Sequence, residues 1–523
     1  MTFKFRSLII PLILSLLTLK CISLSCQHNR FLPSSSLSIN SIPLKSSSPN
    51  LRLTSSLPKP FTPIRIYIDY TTLNNQTAIL PAYKSKIKQI LELSKSSFES
   101  LLKVQRFKDT LRLLHCNNKH IQISPAVQSK GVDADLIIFP YIDTSTNNSN
   151  YEAYASPCIL AGDTHRPVAG YIAFTQILKL DKQNWLKYYT ALAMHELTHC
   201  LVFSPNLYPF YINPNTNQPL GMNNILKTKT VNGIKRTLII TPRVVANARR
   251  HFNCTNIEGV ELENQGSEGT AGAHWEARQM LTDYMMGASY DEVTISEITL
   301  ALFEDSGWYR VNMYTGGLFR FGKNEGCTFV NGKCMSDNKS NFKNEFCDTN
   351  YKPYCSNGRL NKGICYYSEY KDNIDTHYQY FDNSNTIGGL MLADYCPVSQ
   401  VVNDKDMLLH WNCAVGKESY PKTLGEVVSE ESLCFISSLR PKGIKGYEGK
   451  RSICYRYECD YEKKSIVVWI GNRKWKCVNG VVKDVDGWEG EMECPEFMNV
   501  CTSKVRCFDF IDCIEKKAEP VWL

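Results

Sequence analysis

Apolar positions recur along this chain with two different periods. Ile64, Ile66 and Ile68 alternate with Arg65, Tyr67 and Asp69, which predicts a half-buried strand. From Lys84 to Val104 the spacing becomes helical, with Ile87, Ile90, Leu91, Leu93 and Phe98 set among Lys and Glu. Leu136 to Tyr141 and Gly170 to Phe174 are apolar runs of strand length, the second bounded by Pro167. Asp181 to Leu201 returns to helical spacing through Trp185, Tyr188, Leu192 and His195, with Asp181 able to cap it. Ser204 to Ile240 reads as loop-rich. Thr241 as a cap and Pro242 in the first turn then open a short helix reaching about His251. A further helix is expected after His274, and Ile295 to Trp308 is amphipathic and ends at Gly307. Strands and helices mixed in this order predict an α+β fold.

Beyond Gly322 the pattern changes. Cysteines recur at short, irregular intervals, with brief apolar runs such as Ser465 to Ile470. The chain holds 21 Cys, and 15 of them lie between Cys327 and Cys513. That density suits a disulfide-dense domain in an oxidising compartment, and the pairing is not readable from spacing alone. The N-terminus agrees: Lys4 and Arg6 precede an apolar run from Leu8 to Leu19, of signal-peptide length, with Ser23 and Ser25 near a cleavage point. No transmembrane helix is expected in the mature chain, and no lipid-anchor signal follows Glu519. Sequons at Asn75, Asn147, Asn253 and Asn338 fit a secretory route and a secreted or cell-surface location. Phe31 to Pro60 is rich in Ser and Pro and reads as a tether. At 523 residues the chain is long enough for two to four domains. Its net charge is +8, and without Lys4, Arg6 and Lys20 the balance is 56 basic against 51 acidic residues. No basic stripe with interleaved aromatics accompanies it, so nucleic acid is not an expected partner.

The chemistry concentrates in His195-Glu196-Leu197-Thr198-His199. On a helix, residues four apart share a face, so two imidazoles can approach one Zn²⁺ while Glu196 addresses a metal-bound water. Zinc takes a third protein ligand and keeps one position open. Glu258, Glu261 and Glu263 are conceivable, but none lies in an evident helix. His274 is a better candidate, because Gly266, Gly269 and Gly272 before it let the backbone turn sharply, although a lone loop histidine is more often simply hydrogen-bonded, and its surroundings decide between the two. A serine or cysteine hydrolase is not supported, since no G-x-S-x-G elbow is present.

The string His251-Phe252-Asn253-Cys254, then ELENQGSEGTAGAH from Glu261 to His274, then Trp275-Glu276-Ala277-Arg278, closely resembles the leishmanolysin peptidases, a metzincin family of surface and secreted metalloproteases. Ala134-Asp135-Leu136, Cys158, Arg166 to Gly170, and Leu300 to Tyr309 extend the resemblance over about Ile64 to Tyr314. It implies a metzincin-like catalytic domain with one catalytic Zn²⁺ held by His195, His199 and His274. The third histidine follows an insertion, and 74 residues lie between His199 and His274. The resemblance further implies Glu196 as general base, protein or peptide substrates, and a Met-turn at Met285 in Asp283-Tyr284-Met285-Met286-Gly287. A substrate edge strand is expected at Gly170, Tyr171, Ile172, Ala173 and Phe174. Cys26-Gln27-His28-Asn29 resembles the family's pro-segment switch, with Asn29 in place of the acid and Cys26 as the thiolate that fills the open metal position.

The expected organisation is a leader over 1–25, a pro-segment over 26–60, catalytic subdomains over 61–204 and 205–322, and a Cys-rich domain over 323–523. Cys116 with Cys158 is a plausible bridge, and an odd count among the 19 remaining cysteines leaves Cys200 as a free buried thiol. One departure stands out. The family continues His-x-x-Gly, whereas this chain has Val202, which would be strained at a positive φ. That departure sustains an alternative: a weakly active or inactive relative acting in adhesion or binding.

Overall fold

The computed structural model describes residues 60–521 apart from 146–150, 176–177, 182–184, 232, 267–269, 289–291, 371–373, 401–411, 417 and 478–479. The leader, Cys26, nearly all of the Ser/Pro-rich tether and the Asn147 sequon lie outside the described residues.

The central sheet has four strands, in the order Ile66–Ile68, Leu136–Asp143, Pro167–Thr175 and Ala153–Leu160. The first three run parallel, and the last is antiparallel to its neighbour. Both faces are covered, which explains the continuous apolar runs. Ile138, Ile142, Ile172 and Phe174 face a core shared with Ile87, Ile90 and Phe98 of the helix Pro81–Leu101 and with Met194 and Leu197 of the helix Trp185–Leu201. Ile137, Phe139, Tyr171 and Ala173 face a second core with Leu111, Leu113 and Val127, which the Cys116–Cys158 disulfide closes. The long helix starts at Pro81, where a missing N–H costs nothing in the first turn, and ends where the chain extends into Leu102–Gln105.

Gly170 to Phe174 is not an edge. Each of these residues pairs with Ile138 to Ile142 on one side and with Pro157 to Ala153 on the other. The outer strand is Ala153–Leu160, whose register shifts near Pro157 and Ile159. A proline is tolerated there because an edge strand has no second partner to serve. Ala, Ser and Pro in this segment gave it no strand signature.

The stretch Ser204 to Ile240 also departs from expectation. It contains an antiparallel hairpin, Leu226–Val231 with Ile234–Ile239, extended by Val260–Leu262. Lys227, Lys229 and Lys235 masked its alternation, although Asn232-Gly233 is a strong hairpin signal and Gly233 has φ +84°. The next helix, Pro242–Phe252, begins where expected, but the Thr241 side chain does not cap it. Asp305 does so from another helix, accepting from Arg243 N at 2.8 Å and Val244 N at 2.9 Å. That helix, Glu297–Asp305, is capped by Ser296 and closes at Gly307. Gly307 has φ +81°, and a Cβ there would sit 2.1 Å from the Ile212 carbonyl oxygen.

The C-terminal half carries a six-stranded antiparallel arrangement centred on Ser432–Ser437, Arg451–Asp460 and Ser465–Ile470, with its own core around Phe435, Tyr455 and Val468. Seven disulfides staple this region internally, and an eighth, Cys254–Cys327, joins it to the end of the helix Pro242–Phe252. It is not walled off from the rest. Phe329, Phe346, Leu392, Val398, Phe510 and Ile514 belong to the same hydrophobic cluster as the helix Trp185–Leu201. No described helix is long and apolar enough to cross a membrane.

Candidate metal centre

The two histidines of the HELTH segment lie four residues apart, on one face of the helix Trp185–Leu201. Their Nε2 atoms are 3.2 Å apart. His274 reaches them from a loop that folds back on itself, Glu263 N donating to the His274 carbonyl and Gly272 N to the Glu263 carbonyl, each at 2.9 Å. Gly266 and Gly272 make the turns, with φ +83° and +79°. His274 Nε2 comes to 3.3 Å from His195 Nε2. Ligand atoms of all three histidines lie within 4.8 Å of one another, the one such group of His, Cys or acidic side chains among the described residues. Glu261 and Glu263 are engaged elsewhere, Glu261 with Arg236 and Gln279, Glu263 with Gln265 N. Glu258 pairs with Lys227 at the surface.

The opposite ring nitrogens decide the tautomer. His195 Nδ1 bonds the Tyr284 carbonyl at 2.5 Å, His199 Nδ1 that of Phe203 at 2.7 Å, and His274 Nδ1 that of Thr270 at 2.8 Å. A carbonyl only accepts, so each Nδ1 carries the hydrogen and each Nε2 presents its lone pair to the shared space. Burial pulls the His195 imidazole down to about 4, which keeps it neutral at physiological pH. Three converging imidazoles, each oriented by a backbone acceptor, form a donor set that could hold a metal ion. The three carbonyls could not be read from sequence, because every residue carries one.

Glu196, next along the helix from His195, is 1% exposed. Met285 is fully buried in the turn that follows Tyr284; its N–H donates to Asp283 and its carbonyl accepts from Trp275 N. Asp283 is the hub here. Besides Met285 N at 2.8 Å it accepts from Ser296 N at 3.1 Å and Thr299 Oγ1 at 2.8 Å, tying the turn to the next helix. Burial outweighs these bonds and lifts its carboxyl to about 6.

Gly170 has a role other than the expected one. A Cβ there would lie 3.0 Å from Cys200 Sγ, so glycine lets the metal-site helix approach the sheet closely. Cys200 is free and buried, and burial raises its thiol well above the ordinary range. Val202 does not have a positive φ. Its N–H continues the helix by bonding the Thr198 carbonyl, and its own carbonyl accepts from Tyr211 OH at 3.0 Å. The strain expected of a β-branched residue in a left-handed turn is therefore absent.

A profile of the leishmanolysin peptidases matches residues 80–507. The chain belongs to the leishmanolysin family. This is a family of zinc metalloproteases, and its match runs well past the catalytic segments into the Cys-rich half. Among individual relatives, a leishmanolysin-like peptidase of Drosophila melanogaster is 27% identical over 463 residues, covering 75% of this chain and 67% of the relative. A leishmanolysin homolog of Crithidia fasciculata is 27% identical over 383 residues, covering 70% and 55%. Leishmanolysin of Leishmania donovani is 26% identical over 424 residues, covering 77% and 68%. The chain thus spans between about half and two thirds of the length of these relatives.

Proposed function

We propose that this protein is a secreted zinc-dependent endopeptidase. The observation that carries the reading is the set of three Nε2 lone pairs turned to one point by three backbone carbonyls, with Glu196 beside them on the helix. When bound, Zn²⁺ would polarise the scissile carbonyl and lower the pKa of a water in its open position. Glu196 then acts as the base that takes a proton from the attacking water, and as the acid that returns it to the leaving amine. Its burial keeps bulk water from competing for that proton. An extended peptide substrate pairs along the outer strand Ala153–Leu160, in place of the interior Gly170 to Phe174. The disulfides and the apolar N-terminal run support a secretory route. The negative φ of Val202 removes the strain on which the inactive alternative depended.

Glu196→Ala tests the assignment. It should keep about one zinc per chain and lose about 10²- to 10⁴-fold of peptide turnover, since Glu196 moves a proton and is not a ligand. Loss of zinc from that variant would make Glu196 structural. Latency through Cys26 belongs to the same reading: unprocessed Cys26→Ser should be active where unprocessed wild type is silent. Equal activity of the two would reject the switch.

A further inference from the structure

Two of the three metal ligands are held by backbone whose other neighbours come from the Cys-rich half. Tyr284 gives its carbonyl to His195 Nδ1, and its hydroxyl is 2.9 Å from Thr198 Oγ1 on the metal-site helix. The Tyr284 ring packs at 5.8 Å, centroid to centroid, on Phe510. Phe510 opens the short helix Phe510–Glu515, stapled by Cys507–Cys513. Two further contacts seat this segment on the first turns of the metal-site helix. Lys187 Nζ lies 3.1 Å from Asp509 and 4.1 Å from the centre of the Phe508 ring. The His274 loop is held likewise. Gln265 Nε2 donates to Asp394 at 2.8 Å, and Asp394 stands in a left-handed turn two residues before Cys396, which is bonded to Cys334. Leu392 closes the same face, 3.4 Å from where a Cβ on Gly287 would sit beside the His274 ring.

We propose that Phe510 and Asp394 are positioning residues for the metal ligands, Phe510 acting on His195 through Tyr284 and Asp394 on His274 through Gln265. The Cys-rich half is then a brace for the metal centre, and its disulfides keep the brace rigid. The proposal rests on the zinc-peptidase reading.

The test uses the mature full-length chain loaded with Zn²⁺, and measures the rate of zinc release to a chromogenic chelator and the melting temperature in excess chelator. Phe510→Leu keeps an apolar residue in the core but loses the ring on Tyr284, and Asp394→Ala removes the acceptor of Gln265. Each should release zinc about 5- to 10-fold faster, below the roughly 10- to 100-fold typical of groups bonded to a ligand, because Phe510 and Asp394 act one residue further away. The double variant should show the product of the two effects, because they act on different ligands. Asp394→Asn keeps a carbonyl acceptor and should restore nearly wild-type release. Phe435→Leu, in the separate core of the C-terminal sheet, should lower the melting temperature of the zinc-free protein without changing zinc release. If Asp394→Ala does not fold, Gln265→Leu breaks the same hydrogen bond from the loop side. Release from the variants equal to wild type, or no faster than from Phe435→Leu, overturns the brace alone. A wild-type chain that holds no zinc and cleaves no peptide overturns the peptidase reading and the brace together.

Discussion

His251 belongs to the family-like string, yet it lies outside the histidine triad. It is buried, its Nε2 is 2.8 Å from the Phe321 carbonyl, and its ring stacks on Phe319 at 4.6 Å. Burial pulls its imidazole down to about 3, so the folded protein keeps it neutral while the unfolded chain protonates it near pH 6.5. The unfolded state therefore binds more protons, and the contribution is complete above pH 6.5 and is lost as the pH falls towards 3. Between pH 7 and pH 5 wild type should lose about 2 kcal/mol more stability than His251→Gln, read from urea unfolding at both values. Parallel losses in the two proteins would show that the ring is hydrated. The triad differs from this histidine in one geometric respect: its imidazoles face one another, which no count of histidines reveals.

At the level of elements, the periodic segments were legible and their terminations less so. The helix at Pro242 follows from spacing and from proline in the first turn, whereas spacing alone places the earlier helix at Lys84 to Val104 and misses both its start at Pro81 and its end at Leu101. The cap of the second did not follow. Thr241 had the right chemistry, but Asp305, 64 positions later, holds the two amides. Asp305→Ala should cost about 2 kcal/mol in chemical denaturation, since it leaves two helix N–H groups without an acceptor. Thr241→Ala should cost about 0.5 kcal/mol or less. The reverse order would restore the local cap. The substrate-strand expectation failed for a related reason: a strand's sequence reports that it is buried, and here burial came from neighbours on both sides.

For the whole molecule, the aromatic core crosses the position where composition changes. Arg278, two residues after Glu276, donates to the Phe329 and Gly332 carbonyls, and its guanidinium lies 5.0 Å from both the Phe329 and Phe346 rings. Ending the chain at residue 322 would strip this arginine of its apolar cover and take Phe508 and Asp509 away from Lys187 in the first turn of the helix Trp185–Leu201. A 61–322 fragment should accordingly be insoluble or lack cooperative unfolding, whereas 61–523 should melt in a cooperative transition. A folded, zinc-binding 61–322 fragment would show instead that the catalytic part is autonomous.

The amino-acid sequence by itself determined the α+β alternation, the His195/His199 face, the choice of His274 over the glutamates, the Cys116–Cys158 pairing as a plausible bridge and the free thiol at Cys200. These follow from local periodicity, ligand chemistry, parity of cysteines and family likeness, all of which act at short range or survive as motif. Tertiary structure alone decided which carbonyls orient the three imidazoles, that Gly170 admits Cys200 instead of a substrate, that Val202 keeps a negative φ, and that Phe510 lies on Tyr284. His195 with Tyr284, Gly170 with Cys200 and Phe510 with Tyr284 join segments tens to hundreds of residues apart, while His199 and His274 take carbonyls four residues away in turns that the surrounding core fixes; neither kind of contact leaves a pattern in its own segment.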